Sequence, residues 1–137
     1  AVALASGIAK NGGKPVYGVY SSFVQRTYDQ LSQDLCINNN AATIVVYAGT
    51  VFGMNDVTHL GLYDISMMAN IPNLVGIAPT TKQEYLAMLD WSIEQNVYPV
   101  CIRSESGEKD RHCGNCDQSG IFYRHRYRNA GVFKGRP

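Results

Sequence analysis

The run Thr43–Tyr47, Thr-Ile-Val-Val-Tyr, is the segment that most narrows the choice of fold. It is too short for a helix and has no charged residue for a wet face, so it reads as a strand covered on both sides. Such a strand requires a sheet with helices above and below it. Similar runs recur along the chain. Residues 14–20, Lys-Pro-Val-Tyr-Gly-Val-Tyr, are β-branched and aromatic with a proline at the mouth. Residues 74–78, Leu-Val-Gly-Ile-Ala, are a third strand, ended by Pro79. Residues 97–102, Val-Tyr-Pro-Val-Cys-Ile, are a fourth, and Pro99 points to a position near an edge of the sheet.

Helical patterns fill the intervals. Residues 1–10 are Ala-rich, and Gly12 and Gly13 supply a left-handed stop. Val24, Tyr28, Leu31 and Leu35 recur at intervals of 4, 3 and 4, one face of a helix capped by Ser21 or Ser22 and ending in Asn38, Asn39 and Asn40. A short helix is expected around residues 62–69. Thr81 and Glu84 form a capping-box pattern opening a helix that carries Leu86, Leu89 and Ile93. The alternation predicts an α/β fold, a three-layer α/β/α arrangement with a mostly parallel sheet. The pattern does not fix the strand order. Ligands in such sheets bind beyond the carboxyl ends of the strands, which directs attention to residues 20–26, 48–59, 78–81 and those from 103 onward.

Composition sets outer limits. With 137 residues, 45% apolar and 17% charged, the chain suits one well-filled core. A net charge of +1 gives no excess of positive charge for nucleic acid. No apolar run approaches the roughly 18 residues of a membrane span. The opening residues read as helix rather than as a signal peptide. Charge is nonetheless uneven: residues 1–103 hold five basic and seven acidic side chains, residues 104–137 seven and four. Cysteine splits likewise, Cys36 and Cys101 in apolar segments, Cys113 and Cys116 close together in the tail. Four cysteines in an ordinary composition fit a reduced, cytoplasmic protein better than a disulfide scaffold.

Two clusters fall at strand ends. In the first, Tyr20, Phe23 and Arg26 leave a strand just as a helix begins. An aromatic ring there can stack on a planar heterocycle, and an arginine can grip an anion by two parallel hydrogen bonds. Burial of Phe23 in the core, with Arg26 solvated, is the more ordinary reading of these residues taken alone. The second cluster, residues 49–59, has Gly49, Gly53, Asn55, Asp56, Thr58 and His59. A histidine there suits proton transfer or hydrogen bonding near neutral pH; an exposed loop histidine with no role also fits. The spacing is not that of a Walker phosphate loop.

Taken together, several separated motifs resemble one family. They are Ala1-Val2; Gly13-Lys14-Pro15-Val16; Tyr20-Ser21-Ser22-Phe23-Val24-Gln25-Arg26-Thr27-Tyr28-Asp29-Gln30; Ala48-Gly49; Thr58-His59-x-Gly61; Asp64; Ile71-Pro72-Asn73; Ala78-Pro79; and Arg103. In this order they resemble the pyrimidine-binding domain of the 1-deoxy-D-xylulose-5-phosphate synthases, in the transketolase superfamily, over residues 1–103. The resemblance implies a transferase that joins pyruvate to glyceraldehyde 3-phosphate with loss of carbon dioxide, using thiamine diphosphate and Mg2+ in a homodimer. It implies that Phe23, Arg26 and Tyr20 line the cofactor's pyrimidine pocket. It also implies that Tyr20 and His59 face the reacting centre, and that Asn55 and His59 contact substrate. Transketolase and the β-subunit of a 2-oxoacid dehydrogenase share the domain and are the alternatives within this chemistry.

Three departures accompany the resemblance. The family's activating glutamate is expected just upstream of Ala1, so the chain reads as a fragment, inactive alone. Val46-Tyr47 stand where the family has Asp-Arg, and Asn55 where it has Asp. The Gly-Asp-Gly motif of the Mg2+- and diphosphate-binding domain is missing from these residues, which places the metal outside this chain.

Residues 104–137 form the second unit, an atypical basic tail expected to be an out-of-frame extension or disordered. Its one Cys113-x-x-Cys116 pair, with only His112 and His125 nearby, falls short of a four-ligand zinc site, and no metal ligands are expected. The run from Tyr123 to Arg128 interleaves cations with aromatics, and an RNA-binding module is the alternative from another functional class.

Overall fold

A computed structural model describes residues 1–47, 58, 59, 61–104 and the backbone of 120–124. Strands β1 (Val16–Tyr20), β2 (Thr43–Tyr47), β3 (Val75–Ala78) and β4 (Val100–Arg103) are parallel, and β5 (Gly120–Arg124) is antiparallel. The spatial order is β1-β2-β4-β3-β5. Tyr20 pairs with Tyr47, Val46 with Arg103, and Ile77 with Ile102. The carboxyl ends of all four parallel strands therefore share one edge of the sheet.

Helices α1 (Val2–Lys10), α2 (Ser21–Val24) and α3 (Asp64–Ala69) cover one face, and α4 (Lys82–Glu94) covers the other. On the first face Val2, Leu31, Leu35 and Met68 pack on Ile44, Val46 and Cys101. On the second, Tyr85, Met88 and Leu89 pack on Ile77, Val100 and Ile102. Neighbouring strand residues thus feed opposite layers, as the period of two demands. This is the three-layer arrangement read from the sequence.

Some local features differ from that reading. The fourth strand is internal, between β2 and β4's other neighbour β3, rather than near an edge. Pro99 precedes it, so its missing N–H costs the ladder nothing, and its carbonyl accepts from the Val75 N–H at 3.0 Å. Strand β5 lies in the tail, where no element was read; only three apolar residues, 121–123, stand between Gly120 and Arg124. His112, Cys113, Cys116 and His125 lie outside the described residues.

The helix after β1 is not uniform. It passes from α2 through a 3₁₀ turn, Gln25–Thr27, to a π-helical segment, Gln30–Cys36. Each 3₁₀ residue turns the chain by about 120° instead of about 100°, which carries Tyr28 off the face of Val24. Tyr28 is 40% exposed, while Val24, Leu31 and Leu35 are buried. On α4, Thr81 caps as expected, its Oγ1 accepting from the Glu84 N–H at 3.1 Å. The Glu84 carboxylate reaches back one residue further than the motif predicts, accepting from the N–H and the hydroxyl of Thr80, each at 2.7 Å. The inward face is Tyr85, Met88, Leu89 and Ser92, and Leu86 points outward. A buried hydrogen bond from the Thr43 hydroxyl to Ser92 Oγ, 3.0 Å, fixes that rotation.

Two glycines turn the chain from α1 toward β1. Gly12 has a φ of +82°, open to glycine, and a Cβ on Gly13 would lie 2.4 Å from Ile8 Cγ2. The reversal aims Lys14 at the far end of α4, where Nζ donates to the carbonyls of Glu94 (2.8 Å) and Gln95 (3.3 Å) and to Asn96 Oδ1.

Candidate functional site

The site begins where β1 hands over to α2. Tyr20 ends the strand with extended backbone, φ −68° and ψ 143°, and the chain turns into helix at Ser21. That turn leaves Tyr20 and Phe23 three residues apart on the lip of the sheet. Both are about half exposed, and their rings meet edge-on at 6.1 Å between centroids.

His59, 36 positions further along, meets the same phenyl ring: Phe23 and His59 lie 5.1 Å apart with planes at 86°. The structure thus brings together three of the residues singled out from sequence. Both contacts of Phe23 are perpendicular, so neither neighbour is stacked parallel on it. A 43% exposed phenyl ring with that geometry offers surface to a flat heterocycle. The plainer reading of Phe23 as a core residue does not hold. Beside it, Thr58 Oγ1 lies 2.8 Å from His59 Nδ1.

Arg26 sits in the 3₁₀ turn, exposed, with no ion pair of its own among the described residues. It is on the same segment as Phe23 but takes no part in the ring cluster. Asn55 lies outside the described residues. Tyr47, at the carboxyl end of β2, rests against β1: a Cβ on Gly18 would lie 2.7 Å from its ring.

One ionic element had no role assigned from sequence. Arg103, last residue of β4, donates from Nε to Asp64 Oδ2 at 2.8 Å, and the guanidinium also approaches the Gly61 carbonyl at 3.5 Å. Both side chains are buried, and Asp64 opens α3. A separation of 39 residues gives no periodic signal, so the pairing was not readable. Behind the site, in the core, Cys101 Sγ approaches Met68 Sδ at 3.1 Å. Burial pushes the Cys36 thiol up to about 12 and raises Cys101 further, with the Asp64 charge adding to the latter. Both thiols stay protonated at neutral pH, which removes them as nucleophiles. No group of three His, Cys, Asp or Glu among the described residues could hold a metal ion.

Comparison with known proteins agrees with this arrangement. The family described as "Transketolase, pyrimidine binding domain" matches residues 1–108. A 1-deoxy-D-xylulose-5-phosphate synthase from Clostridium acetobutylicum is 38% identical over 110 residues, covering 80% of this chain and 18% of that protein. One from Clostridium botulinum is 42% identical over 113 residues, covering 82% and 18%. The chain therefore spans about a fifth of the length of these curated relatives. Among solved structures, a split-gene transketolase, described as an inactive β4 tetramer, matches with a TM-score of 0.65 at 22% identity, covering 76% of this chain and 33% of that one. That likeness concerns the fold. With its strand-end aromatic cluster, its parallel sheet and a family match over most of its length, the chain belongs to the transketolase pyrimidine-binding-domain family.

Proposed function

We propose that this chain supplies the pyrimidine side of a thiamine diphosphate site in a transferase of the 1-deoxy-D-xylulose-5-phosphate synthase type. The substrates are pyruvate and glyceraldehyde 3-phosphate. The observation that carries the reading is the meeting of Phe23 and His59 at the carboxyl edge of the sheet, 5.1 Å apart. The synthase relatives support the choice of reaction within the family.

The exposed ring of Phe23, with Tyr20 beside it, suits the flat pyrimidine head of the cofactor. When bound, thiamine diphosphate supplies the electron sink for cleaving the bond next to a carbonyl. In this reading the chain's own residues bind and orient. Phe23 packs against the heterocycle, Tyr20 narrows the approach, and Arg26 and Asn55 bring polar contacts to the pocket and to substrate. His59 hydrogen-bonds substrate or moves a proton there. Mg2+ and the diphosphate are bound outside this chain. The assembled enzyme is a cytoplasmic homodimer, and no described helix is long and apolar enough to cross a membrane.

The test is a chimera in which residues 1–108 replace the matched segment of the C. acetobutylicum synthase. With thiamine diphosphate and Mg2+, it is expected to form 1-deoxyxylulose 5-phosphate from pyruvate and glyceraldehyde 3-phosphate. Turnover of ketose donors without pyruvate use would instead favour a transketolase. The 137-residue chain alone is expected to release no carbon dioxide from pyruvate.

A further inference from the structure

We infer that Asn11 is a self-modification site, converted to aspartate and isoaspartate at a rate set by the last turn of α1. Of the ten asparagines in the chain, it alone is followed by glycine. Both Asn11 and Gly12 are exposed. With no Cβ on Gly12, its backbone nitrogen can approach the Asn11 side-chain carbonyl closely. That nitrogen gives up its proton to hydroxide and attacks Asn11 Cγ, forming a C–N bond. The Cγ–Nδ2 bond breaks, and Nδ2 takes a proton from water and leaves as ammonia. Water then opens the five-membered imide at either carbonyl, giving aspartate or isoaspartate. The net change is one water taken up and one ammonia released.

In the folded chain both reacting groups are engaged elsewhere. Asn11 Nδ2 donates to the Gly7 carbonyl at 2.7 Å, one turn back along α1. The Gly12 N–H donates to the Ala9 carbonyl at 3.0 Å, which keeps its proton in place. The backbone N–H groups of Asn11 and Gly13 both donate to the Ile8 carbonyl, at 3.1 and 3.0 Å, and close the helix end. Reaction therefore waits for this turn to open, and an exposed helix end opens at far less cost than the core. The product does not restore the turn. A carboxylate at position 11 has no N–H for the Gly7 carbonyl and puts negative charge at the negative end of the helix dipole. Isoaspartate also lengthens the main chain by one carbon, where a Cβ on Gly13 alone would lie 2.4 Å from Ile8 Cγ2.

The test is peptide mapping of the 137-residue chain held at mildly alkaline pH in water enriched in heavy oxygen, with and without urea. Amide exchange in β2, run alongside, shows that the urea-free sample is folded. In the folded chain Asn11 is expected to convert ahead of the other nine asparagines. Its rate should be on the order of tenfold lower than in urea, because two hydrogen bonds must break first. Asn11→Gln, whose longer side chain has to close a larger ring, should stay unmodified at that position. Asn11→Asp should show faster amide exchange over residues 11–13 than wild type. Another asparagine converting ahead of Asn11, equal Asn11 rates with and without urea, or unchanged exchange in the Asn11→Asp variant overturns the inference. No cofactor or substrate enters the measurement, so its outcome is independent of the proposed function.

Discussion

Arg103, at the end of β4, and Asp64, at the start of α3, form a buried ion pair, Nε to Oδ2 at 2.8 Å. The pair ties the carboxyl edge of the central strand to a helix on one face. Asp64 Oδ1 has no partner among the described residues, so the carboxylate is held by the guanidinium. Removing one member of a buried pair takes its hydrogen-bonded contact from the other and destabilises the fold, by about 3 kcal/mol. Asp64→Ala is expected to lose about that much in urea unfolding, and Asp64→Asn, which keeps an acceptor, clearly less. Equal stability of the alanine variant and wild type would contradict the assignment.

The buried thiols predict a slope in alkaline stability. The Cys36 thiol is raised from 9.0 to about 12 by burial, and Cys101 is raised as well. Between those values the unfolded chain has lost a proton that the folded chain still holds. The stabilisation is therefore complete below about pH 9 and declines as pH rises toward about 12. In a background with Cys113 and Cys116 replaced by serine, thiol reagents at neutral pH should label Cys36 and Cys101 only as fast as the chain unfolds. Cys36→Ala should flatten the fall in stability above about pH 9. Rapid labelling of the folded chain is the opposing result.

Lys14 closes the carboxyl end of α4 from 80 residues away, its ammonium donating to the Glu94 and Gln95 carbonyls. A cation there satisfies acceptors the helix leaves open and opposes its dipole. The contact is exposed, so Lys14→Met should cost only about 1 kcal/mol. The loss should appear as faster amide exchange over the last turn of α4. Unchanged exchange in that turn would show the contact to be idle.

What the sequence conveyed depended on how local the cause was. Thr43–Tyr47 was legible because a strand buried on both sides must be apolar at every position, and four of its five residues are buried to 1% or less. The Thr81 cap was legible because its partner is three residues away. Tyr28 and Leu86 misled because helical spacing assumes an ideal twist and an unspecified rotation. A 3₁₀ turn altered the first, and the Thr43–Ser92 bond set the second. Pro99 misled because the same missing N–H is harmless just before an internal strand. Phe23 and His59 were each visible as strand-end residues, and only the family resemblance suggested one cleft. Their contact joins segments that follow β1 and β2, and no local pattern encodes the parallel pairing of those strands.

The central claim, that Phe23 and His59 line one cleft for the cofactor's pyrimidine head, is tested most directly by thiamine diphosphate affinity. The comparison is between the chimera carrying residues 1–108 and its Phe23→Ala and His59→Gln variants. Loss of an aromatic face from a bound heterocycle is worth about 1–3 kcal/mol, so Phe23→Ala should weaken binding by about tenfold or more. His59→Gln should bind the cofactor nearly as wild type while turnover falls. A Phe23→Ala chimera that binds thiamine diphosphate as tightly as wild type would contradict the account.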